Sequence, residues 1–429
     1  MWGVSNDRRA GLRCREVSDF TYRHGFLHCG AVSVPEIVGA VGTPAYVYSA
    51  HAIRQAYRAL DGALGSYPHT IHFALKANST LAILRLLRTE GAHADANSGG
   101  EIEAALRAGY DASQIVFTGV GKTHDELERA VALGVKAINI ESDGEAGRID
   151  AIARSRGVRA RVALRVNPDI DPHTHAHIST GLRFNKFGVP IAFVPALLRS
   201  FSDRRGLQPV GLHVHLGSQL TEMEPLAQAA RALSNLARDA RDAGVRLEHL
   251  DLGGGLGIDY AGGATPDAAW YADAVLPAVR AAGLHLIVEP GRYLAAPAGI
   301  LVGRVADIKT YAGSPKFVIL DTGMTELIRP MLYDAYHRIE AVEPRHGLED
   351  VCEIVGPLCE TSDTLGHQRL MGPVEVGDLM AVRDTGAYGI VMASNYNRRR
   401  MPVEVLVDDH GWQIIRRRQT YDDLMALET

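Results

Sequence analysis

Four stretches of the chain carry side chains that could do chemistry together: a lysine in IHFALKANS (71–79), two histidines in GLHVHLGSQ (211–219), a glycine run in LDLGGGLGIDY (250–260) and an acid–arginine pair in EPGR (289–292). Strand alternation puts Lys76 on one side with His72 and Ala74, opposite Ile71, Phe73 and Leu75. An inward-facing ammonium is costly unless it is paired or chemically changed. The plain alternative is a strand-end lysine whose charge reaches water.

The glycine run offers successive backbone amides that can wrap a phosphate. It has neither GxGxxG nor GxxxxGK[ST] spacing, which argues against a dinucleotide fingerprint and a P-loop. A carboxylate such as Glu289 can keep a heteroaromatic nitrogen protonated, and an arginine such as Arg292 can grip a phosphate or carboxylate through two bonds. Taken singly they read as a helix cap and an ion-pair partner. His213 and His215 share one strand parity, so either can be a satisfied core histidine, and zinc is discounted because no third ligand follows at a diagnostic spacing. A pyridine ring bearing an aldehyde and a phosphate needs an amine, a carboxylate and an anion grip. Pyridoxal 5'-phosphate therefore accounts for the separate pieces with one ligand.

Elements that could hold these groups at one place are visible in the pattern. Apolar runs at 70–76, 92–97, 115–119, 136–142, 160–167, 209–217, 247–253 and 284–291 alternate with helical stretches, which predicts parallel βα units. Eight such units match an α/β (β/α)8 TIM-type barrel, with a doubly wound open sheet as the alternative. Lys76, the histidines, the glycines and Glu289–Arg292 then fall at the carboxyl ends of strands, where barrel chemistry collects. The expected organisation is a barrel over 43–295 and a second, mainly β domain built from 1–42 and 296–429. Its predicted strands include KFVILDTG, EVLVDD and GWQIIRRRQT, and a helix is expected at YDDLMALE.

Composition narrows the class. A formal charge of -5, 46% hydrophobic and 22% charged residues describe an ordinary globular enzyme-sized chain and give no reason to expect nucleic acid or a membrane as partner. The runs Arg398–Arg400 and Arg416–Arg418 are short enough to be solvated faces. Four scattered cysteines and no long apolar start suit a reducing, cytoplasmic setting.

The ordered series FALKAN, DANSGGE, RVNPDIDPHTH, STGLRFNKFG, GLHVHLGSQ, LDLGGGLGIDY, EPGR, DTGMTELIRPMLY, GPLCETSD and DTGAYG resembles the fold type III pyridoxal-phosphate decarboxylases along nearly the whole chain, most closely their diaminopimelate-acting branch. The resemblance implies an alanine-racemase-like barrel, a β domain, and an antiparallel homodimer whose sites are completed across the interface. It implies Lys76, Cys359, Glu289 and His215 as the catalytic set: Lys76 taking the cofactor aldehyde, His215 against the ring and Glu289 on the pyridine nitrogen. Ser218, Gly254, Gly255 and the amides near Gly291 are then the phosphate grip, with Arg292 beside them and Tyr388 reaching in from the second domain. Arg292 and Arg329 resemble the arginines that receive substrate carboxylates, and Tyr333 stands in the same RPMLY segment. Cys359 and Glu360 resemble a pair contributed by the neighbouring subunit, the thiol near the reacting carbon and the carboxylate at the distal substrate end.

The implied reaction is decarboxylation of meso-2,6-diaminoheptanedioate at its D-centre, giving L-lysine and carbon dioxide. Glu360 together with the arginine of LIRPMLY suits a distal end carrying both an ammonium and a carboxylate. Alternatives are a relative acting on D-lysine, D-ornithine, L-ornithine, L-arginine or a carrier-bound amino acid, and a noncatalytic pyridoxal-phosphate carrier. The chain departs from the family pattern at Leu75, Phe184 and Arg398, and GLRFNKFG is the expected mobile lid.

Overall fold

The computed structural model describes residues 19–171, 186–263 and 267–429. Eight parallel strands close on themselves: β1 (His69–Ala74), β2 (His93–Ala96), β3 (Ile115–Phe117), β4 (Ala137–Ile140), β5 (Ala160–Asn167), β6 (Leu207–His213), β7 (His249–Asp251) and β8 (His285–Val288). Each pairs with its successor, and β8 pairs back onto β1 through Leu286↔His69 and Val288↔Ile71. Closure decides for the barrel over the open sheet. The expected lid GLRFNKFG and Phe184 fall wholly or largely outside the described residues.

Strand alternation sets the two layers. Ile71, Phe73 and Leu75 join the large core between barrel and helices, whereas Val116, Ala137, Ala163 and Val210 form a separate small cluster within the barrel. Helices follow seven of the strands, and Ala50–Leu64 precedes β1 and covers the remaining slot. The helix Glu224–Asp242 buries Leu226, Ala230, Leu233 and Leu236 on its inner face, as the 3.6-residue spacing predicts. Several helices start on a serine or threonine that accepts the amide three residues on, as Ser98 does from Glu101.

A second, mixed sheet runs in the order Thr364–Met371, Asp350–Val355, Lys316–Leu320, Gly299–Lys309, Ala45–Ser49, Val403–Asp408, Gly411–Arg416, with Leu379–Val382 and Ile339–Ala341 paired at its side. Ala45–Ser49 falls inside the segment expected to be barrel, yet it is an interior strand of this sheet, parallel to Val403–Asp408 and antiparallel to Gly299–Lys309. Its sequence AYVYS is buried throughout, as a strand covered on both faces must be. Ser49 then accepts the Ala52 amide at 3.0 Å and caps Ala50–Leu64, so the β unit feeds directly into a barrel helix. The chain's last helix, Tyr421–Met425, lies where YDDLMALE predicted one, behind a Thr420–Asp423 capping box. Among the described residues no helix is long and apolar enough to cross a membrane.

Candidate active site

At the carboxyl end of β1 the strand stops at Ala74, two residues earlier than expected, and Lys76 rides on a single 3-10 turn, Leu75–Ala77. Leu75 is fully buried among the core residues and Lys76 turns to the barrel mouth, one third of its side chain exposed. Its Nζ lies 3.5 Å from Oδ2 of Asp95, next to last in β2, which also accepts the Asn97 side-chain amide at 3.2 Å. Burial opposes the ammonium charge. Asp95 and, further off, Glu289 outweigh it and hold the Lys76 pKa above its ordinary value.

Opposite Lys76, three strand ends bring polar groups into the barrel floor. His213 and Asp251 are register partners on β6 and β7, and Nε2 of His213 lies 3.3 Å from Oε2 of Glu289, just after β8. One donor atom from each lies within 4.8 Å of the others. Along the chain zinc is discounted for want of a third ligand at a diagnostic spacing, but strand register brings Asp251 and Glu289 to His213 in space. Burial and the neighbouring Glu289 push the Asp251 carboxyl well above its usual range, while His213 and Lys76 hold Glu289 below its own against the effect of burial. Oδ2 of Asp251 and Oε1 of Glu289 are buried and meet no donor. A proton on Asp251 shared with an ionised Glu289 satisfies both.

The glycine run closes the floor. Gly254 donates its amide to Nδ1 of His215 at 3.2 Å, which leaves the ring proton on Nε2. A Cβ at Gly254 would sit 2.1 Å from the Glu289 carbonyl oxygen, so only glycine permits this approach. Burial keeps His215 neutral, its pKa well below the ordinary value.

Two arginines face the same cavity from different units. Arg292, at the start of the short helix after EPG, donates to Oγ of Ser218 at 2.9 Å and to the Tyr260 hydroxyl at 2.5 Å. Arg329 begins the helix Arg329–Tyr333, whose i,i+4 spacing places Tyr333 on its face. The Tyr260 ring lies between them, 5.7 Å from the Arg292 guanidinium and 4.6 Å from that of Arg329. Both side chains are almost fully buried, at 7% and 6% exposure, and among the described residues neither makes an ion pair. Buried cations without counter-ions are costly and mark a place where an anion belongs.

Tyr388 reaches this cavity on a loop tied to the lysine turn. Its amide donates to the Ala77 carbonyl at 2.8 Å, Asn78 donates to the Gly386 carbonyl at 3.0 Å, and its ring stacks 4.7 Å from Arg292. Tyr388 holds a left-handed φ of 57°, a conformation uncommon for a bulky residue and frequent at functional sites.

Lys76, His215, Ser218, Arg292, Arg329, Tyr333 and Tyr388 thus line one cavity of about 740 Å³. Glu289 and Gly254 lie in its floor, Gly255 follows, and Gly291 packs between Ala77 and Tyr388. Cys359 and Glu360 do not join them within the chain. They are exposed, Sγ of Cys359 accepting from Asn397 at 3.3 Å and Glu360 from Tyr396 at 2.5 Å. A larger hollow of about 840 Å³, bounded by Thr361, Ser362 and Leu370, contains neither the lysine nor the arginine pair. Asp95, Asp251, Tyr260 and His337 are site residues that the motifs did not single out. The strand-end rule applied to AHADAN and LEHLDLG would have found the two aspartates.

Known proteins place this arrangement. The model of the pyridoxal-binding domain of pyridoxal-dependent decarboxylases matches residues 50–296. The diaminopimelate decarboxylase of Neisseria meningitidis serogroup A is 44% identical over 402 residues, 94% of this chain and 98% of that protein. That of Pseudomonas aeruginosa is 43% identical over 410 residues, 96% of this chain and 98% of that protein. Among solved structures, diaminopimelate decarboxylase from Helicobacter pylori in complex with L-lysine superposes with a TM-score of 0.89 at 39% identity, covering 92% of this chain and 98% of that one. The M. jannaschii enzyme, also in complex with L-lysine, gives 0.90 at 36%, covering 96% and 97%. With this extent of likeness in sequence and fold, the chain belongs to the pyridoxal-dependent decarboxylases and, within them, to the diaminopimelate decarboxylase family.

Proposed function

We propose that the chain decarboxylates meso-2,6-diaminoheptanedioate at its D-centre, releasing L-lysine and carbon dioxide, with pyridoxal 5'-phosphate held at the barrel mouth. The observation that carries the substrate class is the pair of buried arginines in the lysine's own cavity that have no carboxylate partner among the described residues: a substrate with two carboxylates supplies that negative charge. The solved relatives bound to L-lysine, the expected product, agree with that choice.

The residues present fit the cofactor. Lys76 offers the amine for its aldehyde, an ionised Glu289 suits a protonated ring nitrogen, and His215 is placed to cover a ring face. Ser218, Gly255 and Gly291 are placed to grip its phosphate, with Arg292 and Tyr388 beside them, while Gly254, its amide already donated to His215, serves by letting the backbone approach closely. Bound there, pyridoxal phosphate supplies the sink for the electron pair left when the carboxylate departs. The chain's own residues do the rest. Glu289 keeps the ring nitrogen protonated, and Arg292, Arg329 and Tyr333 orient the carboxylates so that only one bond is aligned for cleavage. Sγ of Cys359 or Nζ of Lys76 returns a proton to the carbon that has lost carbon dioxide.

For Cys359 and Glu360 to act they must reach the cavity of another protomer, so the working form in this reading is a homodimer with shared sites. Met331, Tyr336 and Leu370 are exposed around the adjacent hollow, an apolar rim suited to a second copy. In the division we assign, residues 19–49 and from 299 onward form the β unit, and the barrel between them carries the cofactor.

Carbon dioxide release by the purified protein with pyridoxal phosphate, measured on meso-diaminopimelate, D-lysine, L-ornithine and L-arginine, tests the substrate. We expect kcat/KM for meso-diaminopimelate to exceed the others by about a hundredfold or more, because an analogue lacking a recognised polar group leaves its buried partners unpaired. Preference for any of the other three overturns the reading.

A further inference from the structure

Arg329 is held by a residue outside every recognised motif. His337 is fully buried, packs its ring edge against Tyr260 at 4.9 Å between centroids, and makes two hydrogen bonds. Nδ1 lies 2.7 Å from the Arg383 carbonyl oxygen and Nε2 lies 2.6 Å from Nη1 of Arg329. A carbonyl cannot donate, so the proton sits on Nδ1, and Nε2 must accept from the guanidinium. Only the neutral ring in this one tautomer makes both bonds. The Arg383 carbonyl is itself fixed, because the Arg383 amide donates to the Arg338 carbonyl at 2.9 Å. Burial and the adjacent Arg329 charge push the His337 pKa down to about 3, which agrees with the geometry.

The chemical type of this partner matters. A carboxylate at the same place would neutralise Arg329 and compete with an incoming carboxylate; an apolar group would leave the guanidinium unanchored. A neutral imidazole does neither: it satisfies one N–H and fixes the direction of the fork while leaving the full positive charge toward the cavity. We propose that His337 is a positioning residue for substrate choice, orienting Arg329 through Nε2 as an uncompensated cation for the second carboxylate of the substrate. This rests on the substrate class proposed above. His337 touches neither the lysine nor the glycine cradle, so its effect falls on recognition of the distal carboxylate and not on cofactor binding.

The test compares kcat/KM for meso-diaminopimelate with that for D-lysine, which lacks the distal carboxylate, in the holoenzyme and in His337→Gln and His337→Glu. Glutamine keeps an oxygen for Arg329, and glutamate keeps the bond while cancelling the charge, so both variants retain an anchor for the buried guanidinium. The ratio should stay within about threefold of wild type in His337→Gln and fall about tenfold or more in His337→Glu, chiefly through a raised KM for the dicarboxylate. The visible absorbance of the bound cofactor should be unchanged in both. A ratio that His337→Glu leaves unaltered, or a proportional loss on both substrates, overturns the proposal. A wild-type enzyme that does not distinguish the two substrates overturns the substrate assignment itself, and this inference with it.

Discussion

Asp251 and Glu289 are two carboxyl groups in one buried space, and their environments assign them opposite states. Two negative charges at this spacing repel strongly in a low dielectric, so one group must carry a proton. Glu289 has His213 as a partner and takes the charge; Asp251, its Oδ1 already accepting the Gly253 amide, takes the proton. An asparagine imitates a protonated aspartate and a glutamine cannot imitate an ionised glutamate. Asp251→Asn should therefore keep the visible cofactor band and retain turnover within about tenfold of wild type, whereas Glu289→Gln should lose about a hundredfold or more. Absorbance spectra with steady-state rates decide the matter, and a collapse of Asp251→Asn to the level of Glu289→Gln would sink the assignment. At this scale many of the motif residues meet: Lys76, His215, Ser218, Arg292, Arg329, Tyr333 and Tyr388 line one cavity, while Cys359 and Glu360 of GPLCETSD stay outside it. Asp251 escaped because its partnership with His213 is set by strand register across 38 positions of chain, which no local spacing displays.

Elements show where prediction from pattern succeeds and where it fails. All eight barrel strands lie where apolar alternation put them, because each is short and bounded by turn residues, and seven of them lead into a full-length barrel helix. The strand Ala45–Ser49 was assigned to the wrong unit because a fully apolar run does not say which sheet covers it. The arginine runs keep Arg398, Arg416 and Arg417 largely solvated, as expected, and also tie elements together. Arg398 pairs with Glu428 beyond the last helix, Arg399 donates to the Asp321 carbonyl and Arg418 to that of Pro44. The loop carrying Tyr388 meets the barrel at Gly386, where an added Cβ would fall 1.9 Å from the Ala295 carbonyl oxygen. Gly386→Ala must push this loop away from the lysine turn, breaking the Asn78 and Tyr388 contacts to it. It should lower stability by about 1–3 kcal/mol, as overpacking generally does, and weaken cofactor binding at the same time. Thermal melts of the holoenzyme with cofactor titration measure both, and a variant with unchanged cofactor affinity would show that the loop does not support the site.

At the scale of the whole molecule the incomplete site is the informative feature. One chain gathers Lys76, Glu289, the glycine run and the two arginines, but leaves Cys359 and Glu360 exposed on the β unit beside an apolar rim. If two copies exchange these residues, Lys76 and Cys359 of any single site come from different chains, and two differently damaged subunits can rebuild one good site. Lys76→Ala should lack both the visible cofactor band and turnover, while Cys359→Ala should keep the band and turn over slowly. Mixing the two, dissociating and reassociating them makes about half the dimers mixed, each with one intact site of two, so activity should rise toward about a quarter of wild type. The rise must exceed the sum of the separate variants and depend on subunit exchange. If the mixture shows only the activity of its parents although exchange is complete, Cys359 and Lys76 serve the same chain's site, and the exposed loop must fold inward within the protomer.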